Sequence, residues 1–244
     1  MRFTVGWLYP DLMNIYGDRG NILTLLQRAR WRGFDPKLLE LGRGNAKEME
    51  DVDVFFFGGG QDREQALVYE DLLEFKQPPL ERAVAGGAQI LAVCGGYQLL
   101  GHYYQTFEGE RFPGIGLIDV RTEAGKQRFI GDVVIETDIA GLTPKTLVGF
   151  ENHSGRTFLG PKARPLGRIV LGHGNNGSDG MEGCIQGGVI GSYLHGSLLP
   201  KNPHLADHLI RAALRRRGVD ELSRLDDSAE MSAHEQILQR AERR

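Results

Sequence analysis

The chain predicts an α/β fold built on a mainly parallel sheet with antiparallel additions. Three features carry that expectation. Short apolar runs that read as strands buried on both faces, residues 52–57 and 89–93, alternate with segments of helical spacing. Two of those runs lead into glycine clusters, Gly58-Gly59-Gly60 and Gly95-Gly96. At 244 residues, 41% of them hydrophobic and 25% charged, the chain can bury one large core with an appendage.

Residues 3–9 read as the first strand. Residues 21–32 follow as a helix, because Ile22, Leu25, Leu26 and Ala29 share a face and Gly33 stops it. Residues 35–41 and 52–57 are the second and third strands, residues 80–85 continue a helix begun after Pro78-Pro79, and residues 89–93 form the strand that leads into Cys94. Beyond Gly101 the texture changes to short strand-like segments at 114–120, 131–137, 145–150 and 168–171, separated by turn residues. Antiparallel pairing is expected there. Residues 172–180 are a turn-rich loop, and 189–194 a strand that delivers His195. Residues 203–217 are a helix capped by Gly218, with Arg215-Arg216-Arg217 suited to the negative end of its dipole. The expected division is a main domain at 1–218 and a charged C-terminal helix or tail at 219–244.

Composition excludes several classes. A net charge of −3, from 29 basic and 32 acidic residues, gives no field to recruit nucleic acid or an anionic membrane. Two cysteines do not make a disulfide framework, residues 1–7 enter a strand without the long apolar region of a signal peptide, and no apolar run approaches the roughly 18 residues of a span. The cytoplasm is the expected location.

Cys94 stands between an apolar strand and a glycine pair, after which Tyr97 to Leu100 resume a helical pattern. That places a thiol at a strand-to-helix corner, where unpaired helix amides favour a thiolate. A thiol of ordinary pKa needs a base, and His195 ends a strand at the same carboxyl edge of the sheet. Acyl transfer also needs donors aimed at the developing oxyanion. Gly95 offers one amide, and Gly60, from the triplet closing the neighbouring strand, a second. That triplet is no dinucleotide fingerprint, since the position of the last glycine is Arg63. Cys184 lacks such a corner and reads as an inert thiol. His204 and His208 lack the glutamate of a zinc-protease helix, His153, near Glu151 and Asn152, reads as part of a surface turn with lining of the pocket as the alternative, His102 and His173 have no companion that would make a metal site, and no metal site is expected.

Phe57-Gly58-Gly59-Gly60, Val93-Cys94-Gly95-Gly96-Tyr97-Gln98 and Ser192-Tyr193-Leu194-His195-Gly196 resemble, in order and spacing over most of residues 1–217, class I glutamine amidotransferases of the cobyric acid synthase type. The stretch from Tyr9 to Asn21 is similar to the glutaminase subunits of lipid II isoglutaminyl synthases. The resemblance implies a three-layer αβα, flavodoxin-like fold, with Cys94 attacking the side-chain amide of L-glutamine, His195 managing protons and Arg128 binding the substrate. An arginine fork suits a carboxylate. It also implies a heterodimer with a Mur-ligase-like subunit, MurT, that amidates the D-glutamate of lipid II, and peripheral contact with the inner membrane face through that complex. With no phosphate-binding loop in this sequence, ATP and magnesium are expected on the partner and no cofactor here. Another acceptor, such as a corrinoid, and a non-catalytic scaffold of a ligase are the rival readings. Many relatives carry a glutamate two residues after the histidine, where this chain has Ser197. A dyad, an acid elsewhere in the chain, or a carboxylate from the partner would answer that departure.

Overall fold

The structure is a computed structural model that describes residues 1–15, 18–60, 62–195 and 197–242. Its first half follows the strand and helix alternation. The elements are β1 (Arg2–Leu8), α1 (Arg19–Trp31), β2 (Asp35–Leu41), β3 (Val54–Phe57), α2 (Asp62–Asp71), α3 (Gln77–Ala85), β4 (Gln89–Val93) and α4 (Gly95–Leu100). The second half holds β5 (Tyr103–Gln105), β6 (Arg111–Pro113), β7 (Val120–Glu136), β8 (Thr146–Leu159), β9 (Gly167–Leu171), β10 (Met181–Glu182), β11 (Cys184–Gln186) and β12 (Val189–Ser192). Three helices complete it, α5 (Leu198–Lys201), α6 (Pro203–Leu214) and α7 (Ser228–Glu242).

The central sheet runs β11-β12-β4-β3-β1-β2, parallel throughout except for β11 at one edge. Phe55, Phe56 and Phe57 of β3 and Leu91, Ala92 and Val93 of β4 are fully buried, as helices on both faces require. Helix α1 packs with α6, which lies on β3 and β4; α4 lies on β4 and β12 beside α2. The carboxyl ends of β3, β4 and β12 therefore open on one edge, where open α/β sheets build their sites.

The second sheet runs β10-β9-β7-β5-β6 with β8 paired to β7, antiparallel apart from the β5 and β7 pair. Residues 114–120 are not the strand their pattern predicts. Gly114, Ile115 and Gly116 instead donate to His102, Leu99 and Gly101 carbonyls, and a Cβ on Gly114 would meet the Gly101 oxygen at 2.1 Å. Close backbone approach, not strand pairing, is what that glycine serves. The sequence pattern also passes over α2, which continues through a π-helical turn at Leu72–Lys76 into α3.

The helix expected at 203–217 is α6 followed by a 3₁₀ turn, closed by Gly218 at φ 77°. Its arginines do more than face a dipole. Arg216 and Arg217 each reach the buried Asp53 carboxylate at 2.9 Å, and Asp53 also accepts the Thr4 amide. Helix α7 packs on β7 and β8, with Ile237 against Val134 and Val148 and a fully buried His234 bonded to Thr146 Oγ1 and the Lys201 carbonyl. Arg28, 1% exposed, ties α1 to Asp207 and Asp227. No helix among the described residues is long and apolar enough to cross a membrane.

Candidate active site

Strand β4 ends at Val93, and the chain turns at Cys94 with φ 51° and ψ −109°, a conformation that non-glycine residues avoid. The corner is held from both sides. Cys94 N donates to the Ser192 carbonyl of β12 at 2.9 Å, and the Cys94 carbonyl accepts from Gln98 N at 3.0 Å. The two glycines after it are needed for space. A Cβ on Gly96 would meet the Phe57 oxygen at 2.5 Å, and one on Gly95 would lie 3.0 Å from Gly60 N. The Gly60 and Gly95 backbones are thus in contact beside the thiol, while the Gly96 amide is committed to the Gly58 carbonyl. Since α4 has only six residues, these local amides carry more weight than any long helix dipole.

His195 follows β12 and is fully buried. A Cβ on Gly59 would come 3.1 Å from its Cε1, so the triplet after β3 packs directly on the imidazole. Burial alone would favour the neutral ring. Its interactions with Cys94 and Asp18 outweigh burial and lift His195 to about 10, which favours the protonated ring.

Asp18 is the residue that sequence reasoning did not assign. It is fully buried at the start of α1, its Oδ2 accepts the Gly59 amide at 2.8 Å, and its Oδ1 lies 3.9 Å from His195 Nδ1. The only signal was an acid directly before a helix inside the Tyr9 to Asn21 stretch.

A buried polar layer backs the imidazole. His153 lies inside β8 at 2% exposure, not in a surface turn, because alternate residues Glu151, His153, Gly155 and Thr157 all face inward. Its ring stacks on Tyr193 with centroids 3.6 Å apart. Tyr193 Oη bonds Thr157 Oγ1 at 2.7 Å and accepts from Gln98, which in turn accepts from Gln65. His173 donates its amide to Glu151 and its Nδ1 lies 2.6 Å from the same carboxylate, while His102 pairs with Asp119. Arg128 lies at the bulge of β7, its Nε donating to Asn152 Oδ1 at 2.6 Å beside the Phe129 and His153 pair. Cys184 is buried in β11, where desolvation and then Glu182 push its thiol up to about 12. It is the inert contrast to Cys94. Among the described residues no group of three His, Cys, Asp or Glu side chains could hold a metal ion.

Comparison with known proteins accounts for this arrangement. The CobB/CobQ-like glutamine amidotransferase domain matches residues 4–203. The chain is 40% identical to the lipid II isoglutaminyl synthase (glutamine-hydrolyzing) subunit GatD of Staphylococcus aureus, over 98% of this chain and 96% of that protein. It is 37% identical to the subunit of the same name from Streptococcus pneumoniae, over 97% and 87%. Among solved structures, a glutamine amidotransferase of Thermotoga maritima shares the fold with a TM-score of 0.54 at 16% identity, covering 98% of this chain and 97% of its own. The glutaminase domain of Trypanosoma brucei CTPS does so at 0.54 and 10%, covering 91% and 98%. From the matched domain and these near-full-length relatives, the chain belongs to the CobB/CobQ-like glutamine amidotransferase family.

Proposed function

We propose that this chain is the glutaminase subunit of a lipid II isoglutaminyl synthase, releasing ammonia from L-glutamine for a Mur-ligase-like partner of the MurT kind. The observation that carries the reading is the strained Cys94 corner, with the Gly60 and Gly95 backbones in contact beside it and the buried His195 interacting with its thiol. The full-length similarity to two subunits bearing that name supplies the acceptor.

The chemistry follows from the groups present. Cys94 Sγ attacks the side-chain amide carbon of glutamine, and the Gly60 and Gly95 amides stabilise the oxyanion of the tetrahedral intermediate. His195 gives a proton to the departing ammonia and then takes one from the water that opens the glutamyl thioester, leaving glutamate and a regenerated thiol. Arg128, steadied by Asn152, binds the α-carboxylate. The partner brings ATP and magnesium to activate the D-glutamate carboxylate of lipid II, which ammonia converts to D-isoglutamine.

The test is glutamate release by the chain alone and with the partner, alongside mass spectrometry of the lipid-linked acceptor. Amidation that requires glutamine and is lost in Cys94→Ala supports the reading. Glutamine-dependent amidation that survives in Cys94→Ala leaves only a scaffold role, and glutaminase activity without amidation of lipid II points to another acceptor.

A further inference from the structure

The acid expected two residues after His195 is absent, and the structure assigns its role to Asp18, a positioning residue that this chain supplies from the start of α1. The inference rests on the glutaminase reading above and deepens it. Asp18 lies far from His195 in sequence and next to it in space, and both side chains are fully buried.

Three independent contacts fix that approach. Asp18 Oδ2 is held by the Gly59 amide at 2.8 Å, the same triplet that packs on the imidazole. The first turn of α1 is clamped to the segment after His195: Asn21 Oδ1 accepts the Leu199 amide at 2.8 Å, and a Cβ on Gly20 would meet Ser197 Oγ at 2.3 Å. The start of α1, with Asp18 on it, is therefore built into the core.

Asp18 Oδ1 is the group left over. It is buried without a hydrogen-bond partner among the described residues, and the ionisable atom it faces is His195 Nδ1 at 3.9 Å. A buried carboxylate oxygen is costly unless charge answers it. That separation is longer than a hydrogen bond, as such contacts often are before substrate binds. With Nδ1 turned to Asp18, Nε2 is the nitrogen left for the Cys94 proton. A carboxylate at Nδ1 selects that tautomer and stabilises the imidazolium, the role the third member of a triad plays in hydrolases of other folds.

Asp18→Asn isolates the charge, because its Oδ1 can still accept the Gly59 amide while its NH₂ faces His195 and opposes the required tautomer. Alkylation of Cys94 by iodoacetamide, followed against pH in the full chain, needs no turnover and so is independent of the glutaminase reading. The expected result is alkylation at least about tenfold slower than wild type near pH 6.5, converging at high pH. With partner and glutamine present, kcat falls by about 10²- to 10⁴-fold with KM little changed. An unchanged alkylation profile overturns the assignment. Should Asp18→Asn not fold, ¹⁵N NMR of wild-type His195 at a pH above its titration decides: a neutral ring protonated at Nδ1 supports Asp18, and one protonated at Nε2 overturns it. A wild-type chain that alkylates as expected yet hydrolyses no glutamine sinks the glutaminase reading and leaves Asp18 standing.

Discussion

Phe150 and His195 exchange both of their backbone hydrogen bonds, 2.7 Å from His195 N and 3.3 Å from Phe150 N. A strand of the second sheet thereby fixes the main chain at the edge of the first. The next residue along β8, Gly149, lies so close to Leu194 that a Cβ would meet the leucine Cβ at 2.7 Å. Gly149→Ala must push β8 away from residues 194 and 195, since neither backbone-proximal atom can swing aside. The expected cost is about 1–3 kcal/mol of stability together with a drop in kcat for glutamine hydrolysis. Urea unfolding and steady-state kinetics check both, and an unchanged kcat would show that the bridge does not set His195.

Glu182 gives the fold a pH dependence of known sign. Its carboxyl is fully buried, and desolvation raises it to about 7 although Tyr193 N and Ser192 Oγ donate to it. The unfolded chain ionises near the usual 4.5, so the stability of the protonated folded form is complete below that pH and is lost as pH rises through about 7. A shift of that size corresponds to ~3 kcal/mol. Glu182→Gln, neutral at every pH, removes this slope. Its unfolding free energy relative to wild type should therefore rise between pH 4.5 and 8, whereas parallel curves would mean that Glu182 does not titrate in that window.

The shared sheet edge of Cys94 and His195 was legible in the sequence because each ends a buried apolar run, and a parallel sheet puts such ends on one edge. Asp18 was not, because nothing local distinguishes an acid before a helix from an ordinary cap; its partner is brought to it only by the crossover from β1. The surface turn expected at His153 is a buried strand for a related reason. Glu151, His153 and Thr157 give β8 a polar inward face that packs on and bonds to Tyr193 and His173, contacts that strand alternation alone does not reveal. Residues 114–120 carry strand propensity, yet Gly114 is spent on a backbone approach to Gly101 that no strand partner could share.

The C-terminal helix should loosen in acid. His234 joins α7 to Thr146 and Lys201, and His204 beside it bonds the Thr146 carbonyl, their rings 5.5 Å apart. Burial lowers both, His204 to about 4, so neither is charged in the folded state at neutral pH. Stability held above about pH 6.5 is lost as pH falls toward 4, up to ~3 kcal/mol for His204 alone. Hydrogen exchange over residues 228–242 at pH 7.5 and pH 5, corrected for intrinsic rates, should show protection falling in acid there more than in β1, β3 and β4. Equal loss everywhere would count against a local effect.

Cys94 sits at φ 51° and ψ −109°, where glycine is at ease and a side chain is strained. Such strain costs of order 1–3 kcal/mol and persists only where surrounding structure imposes it. Here the Ser192 carbonyl, Gln98 amide and packed glycines impose it. Cys94→Gly should therefore gain about 1 kcal/mol or more in unfolding free energy while losing glutamine hydrolysis. Cys94→Ala, which keeps its Cβ, should lose activity without that gain. Paired unfolding curves separate the two, and equal stabilities would show that the corner stores no strain for the thiol to exploit.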